Sequence, residues 1–275
     1  MIALESDRLR AEIDPAFGAR VTALWDKRAG REWLVTGPRE GGDVYGGAQA
    51  RGWDECFPTV APCEDPDWGS LRDHGLLWGR PWKVAAHGQT IRATFEEGRF
   101  AFTRTLDLHG ATLTALYELE SRADRPLPWM WSQHLLLASR PGERILAEGA
   151  WGWTDGDGAV SWPIEDGRDL SLVEGPEAGF ARKLYARVPD EARAALFGEE
   201  GGIALEWSGA EAPALGLWID WGGWPEGAPV HQLALEPATA PADDLATARK
   251  RNAARVLDPG AIADWRVAIT LLDPP

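Results

Sequence analysis

The chain lacks the features that mark disulfide-rich, zinc-binding, secreted and membrane-spanning proteins. Its two cysteines, Cys56 and Cys63, are too few for a disulfide framework, and no histidine or cysteine accompanies them at zinc spacing. No apolar run approaches the roughly 18 residues of a membrane span. Charged residues begin at the fifth position of the N-terminus, which is not the pattern of a signal peptide. We therefore expect a cytoplasmic protein.

Positive charge and familiar motifs are also scarce. The formal net charge is −15, which argues against nucleic acid and anionic membranes as partners because both require a basic surface. A small anionic substrate stays open, since a local cluster of arginines can override the global field. The sequence has no Walker loop, no Gly-x-Ser-x-Gly elbow, no His-Glu-x-x-His pair and no dinucleotide fingerprint. The chemistry must therefore be sought in smaller groups of residues.

Short alternating strands, glycine and proline are abundant. The stretches 99–108 and 111–120 both alternate apolar with other residues, and only two residues separate them, which predicts a hairpin. Further strands are predicted at 19–25, 203–207, 214–220 and 264–273. The stretches 190–198 and 242–251 favour a few helical turns each. With 31 glycines and 20 prolines, the pattern predicts an all-β, mainly antiparallel sandwich or barrel with few short helices, folded as one domain over residues 1–275.

Two loop stretches combine charged side chains with tryptophan. In "RGWDECFP", Arg51 precedes two acids, Asp54 and Glu55, and the alternative is a solvated polar loop. In "DHGLLWGRPW", the glycine after His74 lets the backbone approach a ligand closely, and Arg80 stands between two tryptophans. A guanidinium among indole rings can stack, or it can bind anionic and hydroxyl groups. Both stretches are candidate binding loops, with a packed loop as the alternative for the second.

Two strand stretches carry a titratable residue among apolar ones. In "WMWSQHLLLAS", alternation places Ser132 and His134 on one face, and a histidine in an apolar strand needs a partner or a function. In "HQLALEPAT", Glu236 is the last residue before Pro237, where we expect the strand to end. Taken alone, each residue is also explained structurally, as a hydrogen-bonded core histidine and as a surface glutamate.

In their order along the chain, these stretches resemble the galactose mutarotase-like superfamily of aldose 1-epimerases and hexose-phosphate epimerases. "RGWDECFP" is similar to the family's arginine-bearing loop, and "HGLLWGRPW" to its His-Gly stretch with two extra residues before the arginine. "SQHLLLA" resembles the strand of the acid histidine, "LALEPAT" the strand of the base, and "VLDPGAIADWRVAITLL" the closing segment. The resemblance, which runs from about residue 8 to 272, implies a β-sandwich supersandwich with an open groove on the concave face of one large sheet. It also implies catalysis without a metal or an organic cofactor.

Carried over residue by residue, the resemblance implies that Glu236 is the general base of sugar ring opening and His134 the general acid. Glu236 would start ionised and His134 protonated. Arg51 and His74 would hold sugar hydroxyls or the ring oxygen, and Asp220 is assigned from its position alone. Neighbouring side chains complete the set of expected substrate-binding residues: Arg80, Trp78 and Trp218.

The chain departs from the family in several ways that leave alternatives open. It lacks the Asn-Arg pair and the His-Gly-Gly stretch of ordinary galactose mutarotases, and the acids of the first loop disfavour a phosphorylated substrate. Four cations could cancel that repulsion: Arg51, Arg72, Arg80 and Lys83. The predicted function is anomer interconversion of a free monosaccharide by a monomer or homodimer.

The alternatives are a hexose-6-phosphate 1-epimerase, a non-catalytic carbohydrate-binding or sugar-sensing module, and a lyase or glycoside hydrolase. Hydrolysis usually needs two carboxylates across the scissile bond. Asp54 or Glu55 together with Glu236 would supply such a pair.

Overall fold

A computed structural model describes residues 1–37 and 50–275, and most of this backbone is β-strand. In chain order, the strands are β1 (Ile2–Glu5), β2 (Leu9–Asp14), β3 (Arg20–Asp26), β4 (Arg31–Glu32), β5 (Trp53–Cys56), β6 (Cys63–Asp65), β7 (Gly69–Leu71), β8 (Lys83–His87), β9 (Thr90–Glu97), β10 (Phe100–His109), β11 (Thr112–Ser121), β12 (Leu127–Trp129), β13 (Ser132–Leu137), β14 (Arg144–Glu148), β15 (Trp151–Thr154), β16 (Ile164–Glu165), β17 (Arg168–Asp169), β18 (Phe180–Arg187), β19 (Glu191–Gly198), β20 (Gly201–Ser208), β21 (Ala214–Trp221), β22 (His231–Ala238), β23 (Arg255–Leu257) and β24 (Ile262–Leu272). The helical segments are α1 (Leu245–Lys250) and a 3-10 turn at Pro176–Ala178. Within the described ranges, no helix is long and apolar enough to cross a membrane.

Two antiparallel sheets dominate the described part of the fold. The larger sheet has ten strands in the order β1-β2-β3-β5-β13-β22-β21-β18-β15, with β4 beside β3. The smaller has eight strands in the order β14-β19-β20-β24-β11-β10-β9-β8. Their strand pairs are antiparallel. One buried apolar cluster takes residues from both sheets, so the predicted all-β sandwich is confirmed.

The sequence patterns predicted the hairpin and one of two helices correctly. The expected hairpin is β10–β11, in which Leu106 stands opposite Ala115. One of the two expected helices, α1, is present and is capped by the Asp244 side chain, which accepts from the Thr247 N–H at 2.7 Å. The predicted helix at 190–198 is wrong, because that stretch forms β19 between β14 and β20. Its alanine-rich apolar run fits both periods, and pairing with two neighbours decides for the strand.

The strand that carries Glu236 does not end before Pro237, as the sequence predicted. β22 continues through Pro237 to Ala238. On the β21 side, the ladder pairs Glu236 with Gly216 before the proline and Ala238 with Ala214 after it. Pairing on both sides of the proline therefore holds the backbone extended where one N–H donor is missing.

A buried charged cluster joins the two sheets at Glu55. From the smaller sheet, Arg104 Nη1 and Tyr117 Oη donate to the Glu55 carboxylate at 2.8 and 3.0 Å. On the side of the larger sheet, Trp53 Nε1 of β5 donates at 3.0 Å and Trp131 Nε1, just before β13, at 2.7 Å. Burial raises the pKa of Glu55, while the charge of Arg104 and these hydrogen bonds oppose that rise. Since Glu55 faces the space between the sheets, it is not the second carboxylate of a hydrolytic pair.

We expect Arg104→Met to lower the free energy of unfolding by about 3–5 kcal/mol, because it leaves the Glu55 carboxylate buried without its charged partner. Urea denaturation would measure the loss. Arg92→Met is the matched control, since its pairing with Glu118 is at the surface of the same sheet, and it should change stability by no more than about 0.5 kcal/mol. Equal effects of the two substitutions would contradict a special role for the buried pair.

Candidate active site

The two expected catalytic residues lie on neighbouring strands of the larger sheet. β13 pairs with β22 so that Leu136 stands opposite Ala234, and the same register places His134 directly across from Glu236. On the other side of β13, Asp54 of β5 stands opposite His134. The sheet therefore aligns a carboxylate, an imidazole and a second carboxylate in one row across three strands.

This row lies on the face of the larger sheet that is turned away from the other sheet. Leu135 and Leu235 belong to the core cluster between the sheets. Leu136 and Ala234 belong instead to a small separate cluster, against which Trp218 packs. Because side chains alternate along a strand, the residues flanking each core leucine point to the opposite face.

One oxygen of the Glu236 carboxylate is anchored and the other is not. Lys183 Nζ of β18 forms an ion pair with Oε2, and Ser132 Oγ donates to the same oxygen at 3.3 Å. Oε1 is buried and has no hydrogen-bond partner among the described residues. A buried acceptor without a partner is costly, so Oε1 is the atom of this side chain that is suited to a ligand donor.

His74 and His134 form an imidazole pair above this row. Their Nε2 atoms are 3.4 Å apart, and their rings meet edge to face with centroids 4.5 Å apart. On the far side of His74, Nδ1 donates to Asp73 Oδ1 over 2.8 Å. A hydrogen on either Nε2 completes a chain from the Asp73 carboxylate through His74 to His134.

The glycine after His74 has a different role from the one predicted. Gly75 has a φ of +67° and forms a bridge with Phe57, whose carbonyl a side chain at Gly75 would strike. His74 itself has a φ of +60°, and its N–H donates to the Val60 carbonyl at 2.6 Å. The close approach is therefore to the chain that follows β5 and not to a ligand, and it holds the His74 loop over His134.

The electrostatics of the site favour a neutral His134. Burial lowers the pKa of His134 well below its usual range, and positive charge at His74, Lys183 and Arg20 adds to the effect. This direction opposes the expectation that His134 starts protonated. An imidazolium formed at this position would be a strong proton donor, because its surroundings disfavour the charge.

The second carboxylate of the row, Asp54, is held by an arginine. Arg20 Nε lies 2.9 and 3.0 Å from the two Asp54 oxygens, and Nη2 lies 2.8 Å from Oδ2. This bidentate pairing occupies Asp54 and weakens the hypothesis of a hydrolytic pair with Glu236. The arginine is itself stacked near Trp78, 5.5 Å from the ring centroid. Trp78, predicted to contact substrate, is fully buried beside Arg20 and His74.

The other expected binding residues differ in how close they lie to the site. Trp218 lies on the groove face of β21, edge to face with Trp224 at 5.8 Å. Arg51 helps to line a cavity of about 340 Å³ that Arg20 also borders. Arg80 lies outside the site, because it pairs at 2.8 Å with Glu97 of the smaller sheet.

Asp220 has a structural role in the β21–β22 connection. Its Oδ1 accepts from the backbone N–H groups of Gly223 and Trp224 at 3.0 and 3.1 Å. Burial raises the pKa of Asp220, and these hydrogen bonds oppose the rise. Its Oδ2 has no hydrogen-bond partner in the described part of the chain, so one acceptor remains for a ligand.

The sequence analysis did not identify Lys183 or Cys56 as residues at the site. Lys183 was missed because the apolar residues of "FARKLYAR" do not alternate with polar ones as they do in a typical half-buried strand. Cys56 lies next to the site, and burial together with the charges of Glu236 and Asp54 raises its pKa well above the usual range. Both cysteines are free thiols. Residues 1–37 and 50–275 contain no group of three or more side chains suited to a metal ion.

The fold has counterparts among solved structures. A galactose mutarotase related enzyme from Lactobacillus acidophilus superposes with a TM-score of 0.70 at 14% identity, covering 99% of this chain and 97% of that chain. A candidate aldose 1-epimerase from Escherichia coli K12 gives 0.75 at 14% identity over 98% of each chain. A galactose mutarotase-like protein from Clostridium acetobutylicum gives 0.72 at 14% identity, covering 98% and 94%.

The sequence comparisons add no closer relative. No protein-family model matches the chain, and no curated protein matches it. The protein therefore has the galactose mutarotase-like fold, and its chemistry has to be argued from the row formed by Asp54, His134 and Glu236 and from the histidine above it.

The lowered pKa of His134 predicts a loss of stability on acidification. Below about pH 6.5 the unfolded chain binds a proton at this residue that the folded chain does not, so the free energy of unfolding falls as the pH drops towards the folded-state pKa. His134→Gln should flatten this part of the stability curve in urea denaturation between pH 8 and 5. His109→Gln, whose side chain is 85% exposed, should leave it unchanged. Parallel curves for wild type and His134→Gln would contradict the burial argument.

Proposed function

We propose that this protein is an aldose 1-epimerase that interconverts the α and β anomers of a free aldose. The observation that carries the proposal is a carboxylate with one unpartnered oxygen, at Glu236, directly across the ladder from a buried imidazole at His134. Side chains directly opposite on antiparallel strands have Cβ atoms about 4.5–5.5 Å apart, close enough to act on one sugar ring. The fold shared with proteins named after mutarotases supports the same reaction.

The reaction needs one base and one acid. To open the ring, a proton leaves the C1 hydroxyl while another reaches the ring oxygen. Glu236 accepts the first through Oε1, and the His74–His134 pair delivers the second. After rotation about C1–C2, the aldehyde recloses by the same steps in reverse. General acid and base catalysis contribute about 10²–10⁴-fold each, which suffices for a reaction that is already measurable in water.

The acid is the imidazole pair and not His134 alone. In this proposal the transferable proton reaches His134 through its Nε2 contact with the His74 Nε2 atom, 3.4 Å away. Asp73 fixes the other ring nitrogen of His74 and so sets which nitrogen faces His134. Once His134 carries the proton next to substrate, its surroundings favour giving that proton to the ring oxygen.

A free sugar fits the site better than a sugar phosphate, because most of the cations considered for phosphate binding have protein partners. Arg80 pairs with Glu97, and Lys83 pairs with Glu96 at 2.6 Å. Arg72 donates from Nε to the Gly75 carbonyl at 2.7 Å. These contacts serve the fold, and they support a neutral substrate over a hexose 6-phosphate.

The remaining expectations belong to the same proposal. The substrate is a monosaccharide, the protein acts in the cytoplasm as a monomer or homodimer, and the mechanism needs neither a metal nor an organic cofactor. Nucleic acid and membranes have no part in it.

The proposal predicts faster anomer exchange, measured by saturation-transfer NMR across a panel of free and 6-phosphorylated aldoses. On at least one free aldose, Glu236→Gln and His134→Asn should each lower the enhancement by about 10²-fold or more. Glu97→Gln and His109→Asn, which alter the same residue types outside the site, should retain it. Enhancement confined to 6-phosphates would identify a hexose-6-phosphate 1-epimerase. Binding of sugars without exchange would identify a carbohydrate-binding module.

A further inference from the structure

We propose that Lys183 is a positioning residue for Glu236: it holds one carboxylate oxygen and balances the buried charge, so that the other oxygen is presented to the substrate. The inference rests on the proposed function in one respect, because it takes Glu236 as the base. The contact itself is independent of that role, since Lys183 Nζ and Glu236 Oε2 form an ion pair in the protein alone.

Lys183 reaches Glu236 from two strands away. In the ladder it stands opposite Trp218 of β21, which in turn stands opposite Ala234 of β22. Lys183 is thus aligned two residues from Glu236 and about 10 Å away across the sheet, since neighbouring strands are about 4.8 Å apart. Only a long side chain laid along the groove face can span this distance. The lysine side chain is 17% exposed and that of Glu236 1%, so the pair is largely removed from water.

A glycine keeps the path between the two charges open. Gly216 of β21 stands opposite Glu236 on one side and opposite Tyr185 on the other. A Cβ at Gly216 would lie 3.0 Å from Glu236 Oε2 and 3.3 Å from Tyr185 Cε1. Such a side chain would occupy the space beside the anchored oxygen. The missing side chain at Gly216 is therefore part of what lets the ammonium approach the carboxylate.

The surroundings of the pair distinguish the two carboxylate oxygens. Ser132 Oγ adds a second donor to Oε2, whereas Oε1 has no partner within residues 1–37 and 50–275. Lys183 Nζ also lies 5.4 Å from the ring centroid of Tyr185, whose hydroxyl is fixed by Asp243 at 2.5 Å. The Lys183 ammonium therefore contacts the Tyr185 ring as well as the Glu236 carboxylate. With Oε2 fixed from two directions, the direction of Oε1 is fixed as well.

The charge of Lys183 matters as much as its position. A carboxylate buried without a cation favours its neutral form, which cannot accept a proton. The Lys183 ammonium offsets the cost of burying the Glu236 charge. The neighbouring Arg182 cannot substitute, because its side chain pairs with Asp155 and Glu165 instead.

The first test is the pH dependence of anomer exchange in K183M, K183R and the matched control K83M, which removes a lysine–glutamate pair outside the site. We expect K183M to lower kcat about 10- to 100-fold at pH 7 with little change in KM, as for the loss of a charge-assisted hydrogen bond. Its acid limb should move to higher pH, so that activity recovers as the pH rises, while K183R and K83M stay near wild type.

Three outcomes of this test would overturn the inference. The first is a loss of kcat in K183M that is equal at every pH, and the second is K183R as impaired as K183M. The third is a rise in KM alone, which would make Lys183 a substrate contact. If K183M does not fold by circular dichroism, K183Q takes its place, since it keeps a polar side chain without the charge.

The second test does not need turnover. In protein labelled with ¹³C at glutamate side chains, the Glu236 carboxyl resonance is identified by its absence in E236Q and followed against pH. We expect it to titrate at higher pH in K183M or K183Q than in wild type. This result without anomer exchange in wild type would refute the proposed function and support the ion-pair inference. A resonance that titrates identically in all variants would refute the inference whatever the activity.

Discussion

The buried carboxylate of Glu55 is the interaction on which the geometry of the site depends. It receives donors from both sheets, so strand β5 cannot slip along its neighbours without breaking the cluster. A slip of one residue would exchange the faces of Glu55 and Asp54. With Glu55 fixed in the core, Asp54 must face the groove opposite His134, and the chain after β5 is positioned to receive the His74 loop.

The acids of the site are paired with cations, so the charge balance of the site differs from that of the whole chain. The chain carries a formal net charge of −15, yet the groove-face acids Asp54 and Glu236 each have a cation, Arg20 and Lys183. The paired charges make the local balance near neutral, which suits an uncharged ligand. Burial, to which positive charge at His74, Lys183 and Arg20 adds, lowers the pKa of the imidazole between the two pairs.

The sequence predicted the local part of this site and missed the part that depends on distant pairing. Alternation placed Ser132 and His134 on one face of their strand, because a period of two is a property of each strand alone, and the resemblance supplied the groove and the role of Glu236. Lys183 and Arg20 reach the site from other strands, and no local pattern contains that register. The stretch "DEARAALFG" fits a helix as well as a strand, so only its partners could decide between them. Arg80 was expected to contact a ligand because it is flanked by tryptophans. Its actual partner, Glu97, lies in another strand, and the local sequence does not reveal that pairing.

The distance between Glu236 and His134 is set by the repeat of the β-ladder and not by any loop. Connections at the rim of the groove can therefore diverge in length and composition, and so alter which ligand is admitted, without disturbing the spacing of the two groups. His74 is the exception, since it reaches the site from a loop that depends on Gly75. Evolution could then vary the loops at the rim of the groove, while the turn at Gly75 that places His74 would have to be kept.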